Sequence, residues 1–143
     1  MNGPVVLDTS VVVKWFRQGE VLAGRALALR EAYLDGQIAV LVPALLAYEL
    51  TNVLRYKGDL TVSQVQDGVH SLFDMGLEWV PPSSEVMRRA VDVARTYDTT
   101  VYDAAFAALA EGVGATFVTA DEGLAARLAA LPFVHFLGEV EDV

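Results

Sequence analysis

Apolar residues follow two rhythms along this chain: short unbroken runs, and longer stretches in which they recur every three or four positions. The first rhythm marks buried strands and the second amphipathic helices. Residues 4–7, stopped by Asp8-Thr9-Ser10, read as a strand followed by a helix-capping cluster, with a short helix over 11–16. Leu22, Ala26, Leu29 and Tyr33 predict a helix over 20–34 that Asp35-Gly36 ends, and 39–42 reads as a second buried strand. Pro43 suits a first helical turn and is expected to open a helix to about Tyr56. Val62, Val65, Val69, Leu72 and Phe73 make 61–75 helical, with Gly76 as its stop. Residues 77–80 form a brief strand before Pro81-Pro82, and Ser83-Ser84-Glu85 caps a helix to about Tyr97. An alanine-rich helix covers 101–111, followed by a strand over 115–119, a helix over 121–131 and a last strand over 133–137.

Five short, mostly apolar strands separated by helices predict an α/β three-layer sandwich: a short, mainly parallel five-stranded sheet flanked by helices. In such sheets ligands bind beyond the carboxyl ends of the strands, where the strand order reverses.

Composition narrows the class. At 143 residues and 54% hydrophobic, residues 1–143 are expected to form one domain, with no low-complexity block to suggest disorder. The richest apolar stretch, 38–48, is cut by Pro43 and is too short to span a membrane. The first residues show no basic segment or cleavage pattern of a secretory signal, so the cytoplasm is the expected compartment. Cysteine is absent, which leaves oxygen or imidazole to hold any metal. Lys and Arg number 10 against 19 Asp and Glu, a net charge of −9. Taken alone, that argues against a polyanionic ligand, because nucleic acid is bound through positive patches.

Four acids occupy unusual places. Asp8 directly follows the first strand, and Asp121 closely follows the strand ending at Thr119. If those strands are neighbours, both side chains open onto one crevice. Glu49 lies within the apolar stripe of Leu46, Leu50, Val53 and Leu54, and Asp103 falls in the first turn of the alanine-rich helix. Each has an ordinary reading as well: Asp8 and Asp121 as helix caps, Asp103 as an acid facing a helix dipole, Glu49 as a snorkelling carboxylate. Two carboxylates ~4 Å apart repel by about 4 kcal/mol at an effective dielectric near 20. A tight cluster therefore takes up protons or binds a hard, oxygen-loving cation such as Mg²⁺ or Mn²⁺. Such an ion would also reverse the local potential that the net charge sets against a phosphodiester.

The segments VVLDTSVVVKWF, PALLAYELTNVL, TVYDAAFAALAE and ATFVTADEGL, in that order, resemble PIN-domain ribonucleases, in particular VapC-type toxins of toxin–antitoxin pairs. The resemblance spans nearly the whole chain. It implies a PIN-like sandwich and Mg²⁺- or Mn²⁺-dependent cleavage of an RNA substrate. On it, Asp8 and Asp103 look like the principal metal ligands, with Glu49 and Asp121 assisting. Ser10 and Thr119 match small hydroxyl positions beside the pocket, and Asn52 fits the family's sequence too. It further implies a VapB-like antitoxin, whose C-terminal segment sends a basic side chain into the acidic pocket, and a homodimer. Glu122 departs from the pattern, standing where many relatives carry a basic or neutral residue.

Lys14, Arg17, Arg55 and Lys57 supply an RNA path near the expected mouth, each with the equal alternative of a solvated cation. Asp98 reads as a cap. His70 and His135 are not spaced as a metal pair, and Trp15, Phe16, Trp79 and Phe106 read as core or interface rather than base-stacking platforms. Competing readings are a PIN nuclease of RNA processing with no antitoxin, a non-catalytic PIN-like interaction domain, and a phosphate-ester hydrolase with Asp8 as nucleophile. The last lacks the second acid that haloacid-dehalogenase-like enzymes carry two residues on.

Overall fold

Val5, Val6 and Leu7 are wholly shielded from solvent, because the strand they belong to, β1 (Gly3–Leu7), is the central one of the sheet. The computed structural model describes Met1 and residues 3–141. Around β1 stand β2 (Ile38–Pro43), β3 (Glu78–Val80), β4 (Thr116–Thr119) and β5 (Val134–Phe136), in the order β3-β2-β1-β4-β5. Every pairing is parallel, so each connection crosses over through helices. These are α1 (Thr9–Val12), α2 (Ala23–Leu34), α3 (Leu45–Arg55), α4 (Val62–Asp74), α5 (Ser84–Tyr97), α6 (Val101–Val113) and α7 (Glu122–Arg127). Right-handed crossovers send α2 to α4 to one face and α5 to α7 to the other. The α/β sandwich expected from the alternating pattern is thus present, with a sheet parallel throughout.

Two helices carry the site, and packing sets both. Leu46, Leu50 and Leu54 of α3 are almost fully buried, and burying such a side chain stabilises by about 1.5–3 kcal/mol. In α6 every residue from Ala104 to Ala110 is buried. Its alanines let the helix lie close over β1, β2 and β4, while Phe106 stacks on Phe117 of β4 at 6.3 Å. Thr100 caps this helix, accepting from the Asp103 N–H at 3.0 Å.

Several boundaries differ from the periodicity. Pro43 ends β2 instead of opening a helix. It pairs with Val80, where the parallel ladder bond to the Val80 carbonyl comes from the Ala44 N–H, so no N–H is asked of the proline. The second helix begins only at Ala23, because Leu22 takes a left-handed φ of 63°. That leaves Glu20 outside the helix. The first helix starts earlier than 11, since Asp8 is its cap, and it tightens into a 3-10 turn over Val13–Trp15. Helix α7 stops at Arg127; the chain then turns, with Leu131 N–H bonded to the Leu128 carbonyl, and Pro132 disfavours helical backbone before it.

Candidate functional site

Strand order reverses between β1 and β4, whose pairing runs from Val5–Thr116 to Leu7–Val118. A crevice is therefore expected beyond their carboxyl ends, and the chain places Asp8 and Asp121 there. Asp8 is only 6% exposed. Its Oδ1 accepts from the Ser10 backbone N–H at 3.1 Å and from the Ser10 hydroxyl, while Oδ2 accepts from the Thr119 hydroxyl at 2.6 Å. Ser10 Oγ accepts in turn from the Ala120 N–H at 2.8 Å, and Thr119 Oγ1 from the Asp121 N–H at 3.1 Å. Together these two hydroxyls tie the ends of β1 and β4. Burial pushes the Asp8 carboxyl up to about 6. The hydrogen bonds from Ser10 and Thr119 hold it back, and the charge of Asp103 adds a lesser upward push.

Glu49 reaches the same place from α3, half-buried, its Oε1 accepting from the Thr9 hydroxyl at 2.9 Å. Burial raises its proton affinity, the Thr9 bond lowers it, and the charge of Asp103 raises it again. Asp103 is likewise raised, by burial first and then by the charge of Asp121, against the Thr100 bond and the charge of Arg127. Asp121 is exposed and caps α7, accepting from the Leu124 N–H at 3.0 Å. All four acids line one open cavity of about 230 Å³, with Asn52 and Phe106 also on its wall.

The donor set suits a hard cation: apart from the Asn52 amide nitrogen the side-chain polar atoms on the wall are oxygens, and the acids raise one another's proton affinity. Among the described residues no group of three such side chains already converges to metal-holding distance. Magnesium does not demand that, since it is held by one or two carboxylates plus waters and substrate phosphate. Mutual repulsion, moreover, keeps ionised carboxylates spread until their charge is neutralised.

The basic residues divide. Lys14 Nζ lies 3.7 Å from Glu20, and Arg17 pairs with both Glu20 and Asp59, the latter at 3.1 Å. These pairs tie the 3-10 turn to the loop before α4. Arg55 lies over the Tyr56 ring at 4.5 Å, beside a second cavity of about 710 Å³ that also touches Asn52. His70 pairs with Asp74 on the exposed side of α4. Trp15 is buried, its Nε1–H bonded to the Ala26 carbonyl at 2.8 Å, and Trp79 stacks on Phe73. Asp98 closes α5 in a left-handed conformation.

Two residues of the site escape the sequence reading. Thr9 stands between two residues that it does single out, and no spacing signals a partner 40 positions on. Arg127 is a solvated cation on a short helix until the fold brings its charge to bear on Asp103.

The family model for the PIN domain matches residues 5–131. A search of curated proteins gave no match. Among solved structures, FitAcB from Neisseria gonorrhoeae superposes with a TM-score of 0.68 at 21% identity, over 95% of this chain and 99% of that one. A toxin–antitoxin complex from Klebsiella pneumoniae gives 0.67 at 18%, over 95% and 99%. Mycobacterium tuberculosis VapC20, described as a sarcin–ricin loop cleaving toxin, gives 0.66 at 13%, over 85% and 93%. At such identities the likeness is one of fold.

Proposed function

We propose that this chain, which belongs to the PIN domain family, is a metal-dependent endoribonuclease acting as the toxin of a VapBC-like toxin–antitoxin pair. The observation that carries the reading is the placement of Asp8, Glu49, Asp103 and Asp121 on one cavity at the sheet's switch point. Asp8 and Asp103 are the residues to hold Mg²⁺ or Mn²⁺, with Glu49 and Asp121 assisting. When bound, the ion orients a water and screens charge developing on the phosphodiester.

The chain's own groups supply the rest. Ser10 and Thr119 hold both oxygens of Asp8, so this carboxylate meets its ligand without reorganising. Glu49, with a proton affinity raised by burial, is suited to take a proton from the attacking water. Water oxygen bonds to phosphorus, the bond to the 3′ oxygen breaks, and the leaving oxygen takes up a proton, giving a 5′-phosphate and a 3′-hydroxyl. Arg55 and Lys57 at the end of α3 are the cations proposed to hold flanking phosphates, with Lys14 and Arg17 nearer the first strand.

A protein partner is supported by a second feature. An apolar groove of about 410 Å³ runs along Pro43, Leu45, Tyr48, Met87, Tyr102 and Leu109. Tyr48 and Tyr102 are 77% and 63% exposed there, each one residue before an acid of the site. A basic, partly apolar antitoxin segment matches both groove and acidic cavity, and a second copy of the chain is the other occupant proposed for this apolar surface. Among the described residues no helix is long and apolar enough to cross a membrane.

The test is RNA cleavage with Mg²⁺ or Mn²⁺ by the wild type and by Asp8→Ala and Asp103→Ala. Loss of cleavage in both folded variants supports the reading; full activity in either refutes the assignment.

A further inference from the structure

We infer that Thr9 is the residue that positions Glu49 toward the cation, through the hydroxyl proton it donates to Glu49 Oε1 at 2.9 Å. This deepens the metal reading above and rests on it. Asp8 is held by hydrogen bonds on both oxygens. For Glu49, among the described residues, the Thr9 bond is the one holding it. Helix α3 is anchored by Leu46, Leu50 and Leu54, but that anchor ends at the backbone. The glutamate side chain is half-buried and carries several rotatable bonds beyond that backbone. The Asp103 charge bears on it across the cavity and repels it.

Thr9 is placed to oppose that push. It is the first residue of α1, directly after Asp8, and Asp8 itself already caps this helix. The Thr9 hydroxyl is therefore free for a long-range bond. It ties an acid of α3 to the turn that presents the acid of β1, so the two carboxylates keep their relative place. Of three consecutive side chains, Asp8 and Ser10 thus bond each other and the end of β4, while Thr9 alone turns to Glu49.

Calorimetric titration of the full chain with Mn²⁺, in the absence of RNA, tests this. Thr9→Val keeps the shape of the side chain and removes the proton; it is expected to weaken Mn²⁺ binding by about 10-fold, as loss of an outer hydrogen-bond partner does. Thr9→Ser should restore affinity to near wild type, and Thr9→Ala should behave as Thr9→Val does. In a Glu49→Ala background, Thr9→Val should cost nothing further. Equal Mn²⁺ affinity in wild type, Thr9→Val and Thr9→Ala overturns the inference alone, as does a full loss on adding Thr9→Val to Glu49→Ala. A wild type that takes up no Mn²⁺ overturns the metal reading itself, and this inference with it.

Discussion

Thr119 donates its hydroxyl proton to Asp8 Oδ2 at 2.6 Å, across the seam where β1 meets β4, although 111 positions separate the two residues. Asp8 is buried and Thr119 is wholly shielded. A carboxylate in such a place pays for lost hydration, and two hydroxyls offset part of that loss.

The strain of that burial should be visible in stability. Asp8 is raised from its ordinary 3.8 to about 6, so between these values the folded chain binds the proton more tightly than the unfolded one. Its contribution favours folding at low pH, declines as pH rises through this window and levels off above it. Asp8→Asn should therefore gain on the wild type by up to about 3 kcal/mol between pH 4 and pH 8. Urea denaturation at the two pH values measures this; a gap that does not change with pH contradicts it.

Thr119→Val removes a hydrogen bond to a buried charge, for which about 1–3 kcal/mol is the usual cost. The loss is expected in full at pH 8, where Asp8 is ionised, and to shrink at pH 4, where it carries a proton. Denaturation curves at both pH values separate this from a simple packing defect, which would not depend on pH.

Asp121 caps α7 and is proposed to assist the ion, and two variants divide these duties. Asn caps helices as well as Asp does, whereas Ala does not, at about 0.5–2 kcal/mol. Asp121→Asn and Asp121→Ala should weaken Mn²⁺ binding alike, but only Asp121→Ala should lower the thermal midpoint. If Asp121→Asn binds Mn²⁺ like the wild type, Asp121 is a cap and nothing more.

Arg55 and Lys57 follow the acid-bearing part of α3 and its end. Replacing both by Ala should lower RNA affinity and reduce the slope of log affinity against log salt by about 1.4, the value for two contacts to a single strand. Filter binding over a range of KCl concentrations reports it, and an unchanged slope removes these residues from the RNA path.

Much of this arrangement was legible in the order of residues. Runs such as that ending at Leu7, short, rich in valine and without polar alternation, fit strands buried on both faces, and parallel strands with helices between them follow from that reading. Strand ends then place Asp8 and Asp121, and the apolar stripe of α3 betrays Glu49 as a charge on the wrong side. What local pattern could not show is anything decided by contacts far along the chain. Thr9 meets Glu49, and Arg127 acts on Asp103, only because β1, α3 and α7 come together. Lys14 and Arg17 read as free cations until Leu22 takes its left-handed turn and leaves Glu20 between them. Pro43 fits a strand end as well as a helix start, and only the partner strand β3 decides between them.

Acids from the end of β1, from α3, from α6 and from the start of α7 are proposed to share one divalent ion. Anomalous scattering from a crystal soaked in Mn²⁺ tests it most directly. A peak within the cavity bounded by Asp8, Glu49, Asp103 and Asp121, absent from the Asp8→Ala variant, is the result expected. Manganese bound only elsewhere on the surface, in a crystal whose cavity is open to solvent, would contradict a shared ion at these four acids.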